Sequence, residues 1–407
     1  MNNKTGRCCP ICESDTKEKV ILVDFELFEG HPMNGGYDLV QCTVCGFIYA
    51  DTSVTQDQLD KYYTELSKYE DKTIATGGGY TKYDKDRLID TAEFIGNKIT
   101  NKNVSIVDLG CSNGGLLKEL KNLGFNTLTG IDPSSECVNI TKQGVGCDCY
   151  QHSLFDIPES VGKFDVVILT HVLEHLLDVR KAVTIIDGLL KPGGYVFIEC
   201  PNAAFYKEVI HAPLQEFNAE HINHFTETSF RNLMGLFGFK DIYTSDKIFK
   251  IASDQDYHAV YGLFKKEDNP TFQLQFDTVI RTAIDEYINK SSVIFDGINS
   301  RLNVLPSGTT VALFGVGQFS FKLLKSDFFK KATHFKLFDN NRMNVGKMIM
   351  GIPILHGSTL LSEYKKQKFV IIISSLIHEV AIKNNIESIF NEDGEPTPEM
   401  IGFSSLL

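Results

Sequence analysis

The sequence predicts an α/β protein in which a largely parallel, doubly wound sheet carries the ligand site. From residue 104 to about residue 245, strand-like and helix-like segments alternate, which is the pattern of successive βαβ units. Within this region, the stretch VSIVDLGCSNGGLLKELKNLGFNTLTGID, from Val104 to Asp132, has the order strand, glycine turn, helix and second strand ending in an acid. That order is typical of the nucleotide-binding half of a doubly wound fold.

The strands of this sheet are apolar runs bounded by turn residues. They are predicted at Ser105–Asp108, Thr127–Ile131, Phe164–Leu169 and Gly194–Glu199. In open α/β sheets, ligands bind outside the carboxyl ends of the strands. The polar motifs DLGCSNG, GID, SLFD (153–156) and LTHVLEHL (169–176) all fall at such ends. We therefore expect one ligand site at this edge of the sheet.

The glycine turn indicates the type of ligand. Gly110 and Gly114 let the backbone approach a ligand closely, and Asp132 is placed to bond a ribose. Asp108 immediately precedes the glycines, and its carboxylate would repel the pyrophosphate of a dinucleotide. A cofactor with an ammonium group and no phosphate suits these residues better. S-adenosylmethionine (SAM) is such a cofactor.

Length and charge limit the other possibilities. A chain of 407 residues predicts two or three compact domains. The formal net charge of -12 would repel a phosphate backbone, so nucleic acid is not expected as a partner. No segment is long and apolar enough to span a bilayer, and the N-terminal residues lack an apolar signal-peptide core. We expect a cytoplasmic protein without a membrane partner.

Two CxxC pairs near the N-terminus predict a metal site. Cys9 and Cys12 form the first pair, and Cys42 and Cys45 form the second. Four thiolates make a closed tetrahedral site that favours Zn²⁺ and leaves no position open for catalysis, so the metal would be structural. The alternative is four unligated thiols, and Cys8 could replace Cys9 as a ligand.

A tyrosine-rich segment follows the metal module. LDKYYTELSKYED (59–71) reads as a short helix, the glycines at 77–79 as a hinge, and TKYDKDRLIDTAEFIGNKI as a second helix. The tyrosines of this region could line a site beneath a lid, or could pack against the next domain. They are Tyr62, Tyr63, Tyr69, Tyr80 and Tyr83.

The central region resembles the class I (Rossmann-like) SAM-dependent methyltransferases. DLGCSNG matches their glycine motif, with Ser112 in place of a glycine, and GID, FDVVILTHVLEHL and LLKPGGYVFIECPN match their later motifs in order. The resemblance implies that the glycine turn borders the methionine part of SAM, that Asp132 takes the ribose and that Phe155 flanks adenine. The implied cofactor-binding residues are Asp108, Gly110, Cys111, Gly114, Asp132, Ser153, Leu154, Phe155 and His171.

Histidines near the carboxyl ends are candidates for proton transfer. His221, in FNAEHINHFT (217–226), can act as a base, with Glu220 orienting it or holding substrate and His224 nearby. The alternative is a surface or structural loop histidine. Thr226 or Thr228 is expected to cap the next helix. Glu174 and His175 are expected on a helix surface or behind the catalytic groups, not in a direct catalytic role.

The whole layout resembles a narrower family, the nucleotide-sugar C-methyltransferases of the TDP-deoxysugar C-3 type. Shared marks are the two cysteine pairs followed by Tyr62-Tyr63, the EHxxxF motif starting at Glu220, and a C-terminal glycine turn. The resemblance implies that His221 enolises a 4-keto sugar. Asn218 stands where that family has a tyrosine, which leaves another acceptor or another base open. The expected substrate-binding residues are Tyr63, Tyr80, Asn202, Asn218, Gly315, Gly317 and Asp339.

The C-terminal region predicts a second Rossmann-like unit. After a helical stretch at about 269–302, TVALFGVGQFSFKLLKS reads as a strand, a GxGxxS turn and a helix, and HFKLFDNN ends a second strand at Asp339. No acid precedes Gly315, so the turn could accept a phosphate. The resemblance implies a degenerate unit that helps to hold the nucleotide sugar; an independent NAD site is the alternative.

These observations give a domain plan and a functional hypothesis. The plan is a zinc module with its tyrosine helix at 1–70, a methyltransferase domain at 71–265, and a helical linker with a Rossmann-like domain at 266–407. The hypothesis is methyl transfer from SAM to a carbon of a nucleotide-linked keto sugar. Methylation of a hydroxyl on a sugar, glycan or other small molecule is the alternative, and a non-catalytic SAM- or nucleotide-sugar-binding protein is a third. The sequence leaves the oligomeric state open.

Overall fold

The structure is a computed structural model, and it describes residues 6–33, 35–65, 77–253, 255–267, 271–332 and 334–407. The chain forms two compact units. The first comprises Met1–Ile21, Asp38–Val209 and Glu220–Ala283, and the second comprises Leu22–Tyr37, Ile210–Ala219 and Ile284–Leu407. The domain boundaries at residues 70 and 265 stay a prediction, and Tyr69 lies outside the described residues.

The strands of the described chain, in order, are Lys17–Asp24 (β1), Gly36–Cys42 (β2), Ile48–Asp51 (β3), Ser105–Leu109 (β4), Thr127–Asp132 (β5), Asp148–Gln151 (β6), Phe164–Thr170 (β7), Leu190–Pro201 (β8), Asn223–His224 (β9), Phe239–Ala252 (β10), Gln255–Lys266 (β11), Val311–Phe314 (β12), Phe335–Asp339 (β13), Met348–Ile349 (β14), Ile352–His356 (β15), Val370–Ile373 (β16) and Met400–Ile401 (β17).

The α-helices of the described chain, in order, are Gln56–Glu65 (α1), Lys82–Lys98 (α2), Gly115–Asn122 (α3), Ser135–Val145 (α4), Val179–Leu189 (α5), Glu227–Leu236 (α6), Ile280–Asn303 (α7), Gln318–Leu323 (α8), Asp327–Lys331 (α9), Leu360–Lys366 (α10) and Glu379–Glu392 (α11). None of these helices combines the length and apolarity needed to cross a bilayer.

The first unit contains the predicted doubly wound sheet. Over the described residues it has seven strands in the order β10-β11-β8-β7-β4-β5-β6. The strands from β8 to β6 are parallel, whereas β11 pairs antiparallel with β8 and β10 pairs antiparallel with β11. The strand order reverses between β4 and β7, and such a switch point leaves a crevice at the carboxyl ends of the strands.

Continuous apolar runs form the central strands because both faces of the sheet are covered. In β7, Val167 and Leu169 belong to an apolar cluster on one face, and Val166 and Ile168 belong to the cluster on the other. This alternation follows from the two-residue period of a strand. The four strands predicted from the sequence are confirmed; β6 and the β10–β11 hairpin were not predicted.

Side-chain caps fix where several helices begin. Thr81 accepts the Asp84 amide to start α2, and Ser134 accepts the Cys137 amide to start α4. Thr226 starts α6 in a capping box with Ser229, so of the two predicted caps Thr226 is confirmed. Each cap satisfies an amide that would otherwise have no partner in the first turn.

The second unit carries a mixed sheet. Over the described residues its order is β14-β15-β13-β12-β16-β17, with β14 antiparallel to β15 and the other pairs parallel. Ala312, Phe338, Ile371 and Phe390 are fully buried in one apolar cluster on this sheet. The predicted C-terminal Rossmann-like α/β unit is therefore present.

One lysine of the second unit is buried without a hydrogen-bond partner among the described residues. The Nζ of Lys322, on α8, has none, although it lies 5.2 Å from the centre of the Phe25 ring. Burial lowers the pKa of Lys322 to about 7, against the opposing influence of Glu216. The protonated lysine therefore costs folding free energy at neutral pH and below.

We expect Lys322→Met to raise the melting temperature at pH 7 by about 3 °C or more, measured by circular dichroism. Because the unfolded lysine binds its proton up to its ordinary pKa, wild-type stability rises between pH 7 and pH 10, and the gain should shrink over that range. Lys325→Met is the control, since Lys325 pairs with Glu26 at 2.9 Å. A melting temperature lowered at pH 7 by Lys322→Met would contradict the account.

Candidate functional site

A cavity of about 500 Å³ in the first unit lies at the carboxyl ends of β4, β5 and β7. Its floor is formed by the ends of these strands and the turns that follow them. Its walls come from α1, the start of α2, and the β10–β11 hairpin. This is the position that a doubly wound sheet gives its ligand.

The turn after β4 has the backbone that a close approach requires. Gly110 has φ 78° and Gly114 has φ 75°. A Cβ on Gly110 would lie 2.6 Å from Val172 Cγ2, and one on Gly114 would lie 2.7 Å from Thr141 Cγ2. Side chains are therefore excluded at both glycines by backbone strain and by space. Gly110, Cys111 and Ser112 line the cavity, whereas Gly114 is not among the described residues that line it.

Asp108 presents a buried carboxylate to the cavity. Its residue is 2% exposed, and its Oδ1 has no hydrogen-bond partner among the described residues. Burial, helped by the nearby Asp132 and opposed by Arg87, raises the pKa of Asp108 to about 7. An unsatisfied carboxylate in such a place is matched by a cationic ligand.

Asp132 ends β5 and is held by the backbone. Its two carboxylate oxygens accept the amides of Ser112 and Ser134, each at 2.9 Å. Burial raises the pKa of Asp132 to about 6, and the two amides oppose that rise. The fixed carboxylate lines the cavity, as the recognition of ribose hydroxyls requires.

The residues predicted to flank adenine follow β6. Leu154 and Phe155 begin a single 3₁₀ turn after Ser153, and all three line the cavity. The Lys181 Nζ lies 5.2 Å from the centre of the Phe155 ring. The structure thus brings these residues to the same cavity as Asp108 and Asp132.

His171, directly after β7, is held between two buried carboxylates. Its Nδ1 lies 3.3 Å from Glu174 Oε1, and its Nε2 lies 3.3 Å from Glu199 Oε1. Burial alone would lower the pKa of His171, but these two contacts outweigh burial and raise it. His171 thus lies on the cavity wall with a carboxylate against each ring nitrogen.

Glu199, at the end of β8, carries charge that the surrounding residues balance. Its Oε2 lies 2.5 Å from Lys247 Nζ, and its Oε1 lies 3.7 Å from the Arg87 guanidinium. Burial alone would raise the pKa of Glu199, but Lys247 and His171 outweigh it and hold the pKa well below its usual range. The charge on Glu199 keeps His171 oriented.

Glu174, His175 and His221 meet on the cavity wall. One ligand-type atom from each side chain lies within 4.8 Å of the other two, and the His175 and His221 rings are 4.9 Å apart. Leu173–His175 is a short 3₁₀ turn, and Glu174 and His175 are buried. Of the two predicted positions, the one on a helix surface is wrong, because β9 and Tyr63 of α1 cover this turn.

The protonation states in this cluster follow from burial. Burial lowers the pKa of His175 to about 4, although Glu174 opposes this. Burial alone would raise the pKa of Glu174, but His175 and His171 lower it to about 2. His175 is therefore neutral and Glu174 is ionised at neutral pH.

Glu220 and the tyrosines of α1 support this cluster. The Glu220 carbonyl lies 3.1 Å from His175 Nδ1, and the Glu220 carboxylate accepts the Tyr62 hydroxyl at 2.8 Å. Tyr63 packs against His175 with ring centres 5.7 Å apart and lines the cavity. Tyr83 also lines the cavity, whereas Tyr80 is 53% exposed.

Two predicted residues of the first unit are held behind the cavity surface. His224 is fully buried, and its Nδ1 lies 3.3 Å from the Tyr206 hydroxyl. Burial lowers the pKa of His224 to about 3. The Asn202 side chain accepts the Ala204 amide at 3.1 Å. Neither His224 nor Asn202 is among the described residues that line the cavity.

The remaining predicted substrate residues belong to the second unit. Asn218 is buried, and its carbonyl accepts the Tyr37 hydroxyl at 3.1 Å. In the glycine turn after β12, Asp339 Oδ2 accepts the Val316 amide at 3.1 Å, and the Ser374 hydroxyl donates to the Gly315 carbonyl at 2.5 Å. The Asp339 carboxylate thus already bonds the residue before Gly317. Its negative charge does not favour a phosphate at this turn.

The four paired cysteines form one cluster in the first unit. The Cys9 and Cys45 sulfurs are 3.5 Å apart, as are those of Cys12 and Cys42, and all four lie within 4.8 Å of one another. This arrangement can hold a metal ion with four thiolates. Cys8 is exposed and outside the cluster, so the structure selects Cys9 of the two candidates.

Sequence reasoning missed several groups of the site. Asp84 and Arg87, on α2, and Phe249, Lys250 and Tyr257, on the β10–β11 hairpin, all line the cavity. The Asp84 carboxylate accepts the amides of Gly77 and Gly79, so it fixes the glycine segment predicted to be a hinge. The sequence contained a signal for the β10–β11 hairpin, because β11 includes the strand-forming run YHAVYGLF.

Comparison with known proteins identifies the domain that carries this cavity. Residues 80–244 match a family described as a methyltransferase domain. They contain the glycine turn, Asp108, Asp132 and the Glu174–His175–His221 cluster. Residues 80–244 therefore form a class I SAM-dependent methyltransferase domain, and SAM is the cofactor that this domain implies.

Several proteins resemble parts of the chain. A ubiquinone biosynthesis O-methyltransferase from Marinobacter nauticus is 31% identical over 27% of this chain and 49% of that protein. The one from Colwellia psychrerythraea is 35% identical over 27% of this chain and 47% of that protein. The chain thus spans about half the length of these relatives. Magnesium protoporphyrin IX methyltransferase from Synechocystis, solved with SAM, is 16% identical, covering 45% of this chain and 79% of that chain, with a TM-score of 0.34.

We expect Asp108→Asn to weaken SAM binding by at least about tenfold, measured by calorimetry, because a hydrogen bond to a charged group contributes about 1.5–3 kcal/mol. Asp165→Asn is the control, since Asp165 pairs with Lys191 at 2.8 Å outside the cavity. Equal SAM affinity in Asp108→Asn and wild type would contradict the assignment.

The same substitution should stabilise the unliganded protein at pH 8. The folded pKa of Asp108, about 7, exceeds its ordinary value, so the folded state holds a proton that the unfolded state has lost between these values. Wild-type stability therefore falls as pH rises from 4 to 7. The melting temperature of Asp108→Asn should exceed that of wild type at pH 8 and approach it at pH 4; the opposite trend would refute the burial argument.

Proposed function

We propose that this protein is a SAM-dependent methyltransferase that acts on a small acceptor bound beside His221. One observation carries the proposal: the same cavity contains a buried, unsatisfied carboxylate at Asp108, a fixed carboxylate at Asp132, and a cluster of proton-accepting groups at Glu174, His175 and His221. The first two suit an ammonium group and a ribose. The third suits activation of an acceptor.

Different residues of the cavity would bind different parts of SAM. Asp108 would take the ammonium group of SAM, Asp132 its ribose hydroxyls, and the turn at Ser153–Phe155 its adenine. When bound, SAM supplies a methyl group on a sulfonium, which is reactive toward a nucleophile. Gly110 lines the cavity beside the proposed cofactor position, and a side chain there would clash with Val172.

The proposed acceptor is a nucleotide-linked keto deoxysugar. His221 would take the proton from the carbon beside the ketone, and the electron pair of that C–H bond would form an enolate whose carbon then receives the methyl group. Glu220 would support His175, the neighbour of His221, through its backbone carbonyl. The EHxxxF motif and the cysteine module support this acceptor; Asn218 departs from the motif of the resembling family.

A second candidate is methylation of a hydroxyl. Two relatives that match about a quarter of the chain are ubiquinone biosynthesis O-methyltransferases. His221 could equally deprotonate an acceptor hydroxyl. A non-catalytic binding protein is less well supported, because the cofactor residues and a base candidate line one cavity.

We also propose that the four-cysteine cluster binds a structural Zn²⁺. Cys9, Cys42 and Cys45 are buried in the apolar cluster that covers one face of the seven-stranded sheet. The ion would join the two CxxC turns and fix the small β1–β2–β3–β9 sheet in the described residues.

Purified protein is expected to retain one equivalent of zinc after dialysis against EDTA, measured by elemental analysis. Cys12→Ser should lose this zinc and unfold at a lower temperature, because a structural zinc site contributes on the order of 10 kcal/mol of binding free energy. Cys8→Ser and Cys147→Ser are matched controls outside the cluster. Retention of the zinc in Cys12→Ser would contradict the ligand set.

The acceptor is tested by mass spectrometry with SAM and a panel of TDP-, GDP- and CDP-linked 4-keto sugars in deuterated buffer. We expect methyl gain with SAM present and deuterium uptake at a sugar carbon with SAM absent. His221→Ala should lose both while its SAM affinity changes less than about threefold, and the exposed His334→Ala should keep both. Methyl gain without deuterium uptake would favour the hydroxyl acceptor, and no turnover would overturn the keto-sugar proposal.

A further inference from the structure

The cluster of Glu174, His175 and His221 has the composition of a metal site with open positions. Two imidazoles and one carboxylate are the protein ligands of many catalytic zinc and iron centres. One ligand-type atom from each residue lies within 4.8 Å of the others. All three side chains line the cavity, so water or a ligand could complete the coordination.

The His175 ring is oriented as a metal-binding histidine usually is. Its Nδ1 lies 3.1 Å from the Glu220 carbonyl, and a carbonyl oxygen can only accept, so Nδ1 carries the proton. The lone pair is then on Nε2, which lies 3.9 Å from Glu174 Oε1. A backbone carbonyl that fixes the tautomer in this way is the common support of a histidine ligand.

Glu174 supplies a charge that the protein does not fully satisfy. The residue is 1% exposed, and no hydrogen bond from the described residues reaches either carboxylate oxygen. The carboxylate lies at ion-pair distance from His171, 3.3 Å away, yet His171 also contacts Glu199. A buried carboxylate without hydrogen bonds costs folding free energy unless a cation compensates it.

We propose that Glu174, His175 and His221 bind one divalent transition-metal ion, such as Zn²⁺ or Co²⁺, at a site separate from the four-cysteine cluster. Ligand atoms on one such ion are about 3 to 3.5 Å apart, so a small inward movement of the half-buried His221 completes the site. The site is open on its cavity side, unlike the cysteine site, and therefore binds its ion more weakly.

Binding of this ion has a functional consequence, which rests on the proposed role of His221. A metal-bound imidazole has no free lone pair, so the ion removes His221 as a base. The ion therefore inhibits methyl transfer, and a chelator restores it. Glu174 and His175 act in this site as ligands.

The binding test uses the full-length protein with its cysteine site filled with zinc, titrated with Co²⁺ and followed by visible absorption. The expected signal is a d–d band for one equivalent of Co²⁺ without the thiolate-to-cobalt charge-transfer band that the cysteine site would give. Glu174→Gln and His221→Ala should weaken binding at least about tenfold. His152→Ala is the matched control, because His152 lines the cavity outside the cluster.

The outcomes distinguish a failure of the metal-site proposal from a failure of the proposed role of His221. No d–d band in wild type, or unchanged binding in both folded variants, would overturn the site. Inhibition of wild type by one equivalent of Co²⁺, reversed by EDTA, supports both proposals. Co²⁺ binding that is lost in the variants but raises the rate of methyl transfer keeps the site and overturns His221 as the base. Melting curves of Glu174→Gln and His221→Ala identify a variant that has failed to fold.

Discussion

Buried carboxylates at the carboxyl ends of parallel strands are the constraint on which this structure depends. Asp132 is the last residue of β5, and Asp108 and Glu199 lie within two residues of the ends of β4 and β8; all three are buried. Burying a charge is costly unless it is paired. Backbone amides satisfy Asp132, and Lys247 and His171 lie at ion-pair distance from Glu199 and balance its charge. Among the described residues, Asp108 Oδ1 has no hydrogen bond and the Asp108 carboxylate has no cation at ion-pair distance. This unbalanced charge costs folding free energy, and we expect a cationic ligand to bind there.

The need to balance these charges explains the parts added to the basic doubly wound sheet. Arg87 reaches the strand ends from α2, and Lys247 reaches them from the β10–β11 hairpin. The same two elements carry Asp84, Phe249 and other walls of the cavity. Helix α2 and the β10–β11 hairpin thus both balance the buried charges and enclose the cavity. The cysteine module packs its sulfurs into the apolar cluster on one face of the same sheet, which extends the core without closing the cavity.

Much of this arrangement could be predicted from the sequence because its signals are local. Apolar runs predicted β4, β5, β7 and β8, the DLGCSNG turn predicted the cavity floor, and the cysteine spacing predicted the thiol cluster. The burial of Glu174 and His175 could not be predicted, since it results from α1 and β9, which are distant in sequence. The hairpin residues Phe249 and Tyr257 were missed for the same reason: their place on the cavity wall depends on antiparallel pairing with β8.

The central claim is that one cavity holds both the cofactor and the groups that activate the acceptor. A crystal structure of the protein with SAM bound tests it most directly. The account predicts the methionine ammonium against Asp108 Oδ1, the ribose hydroxyls against Asp132, and the transferable methyl directed toward Glu174, His175 and His221. A SAM molecule bound elsewhere, or one whose methyl group points away from these three residues, would contradict it.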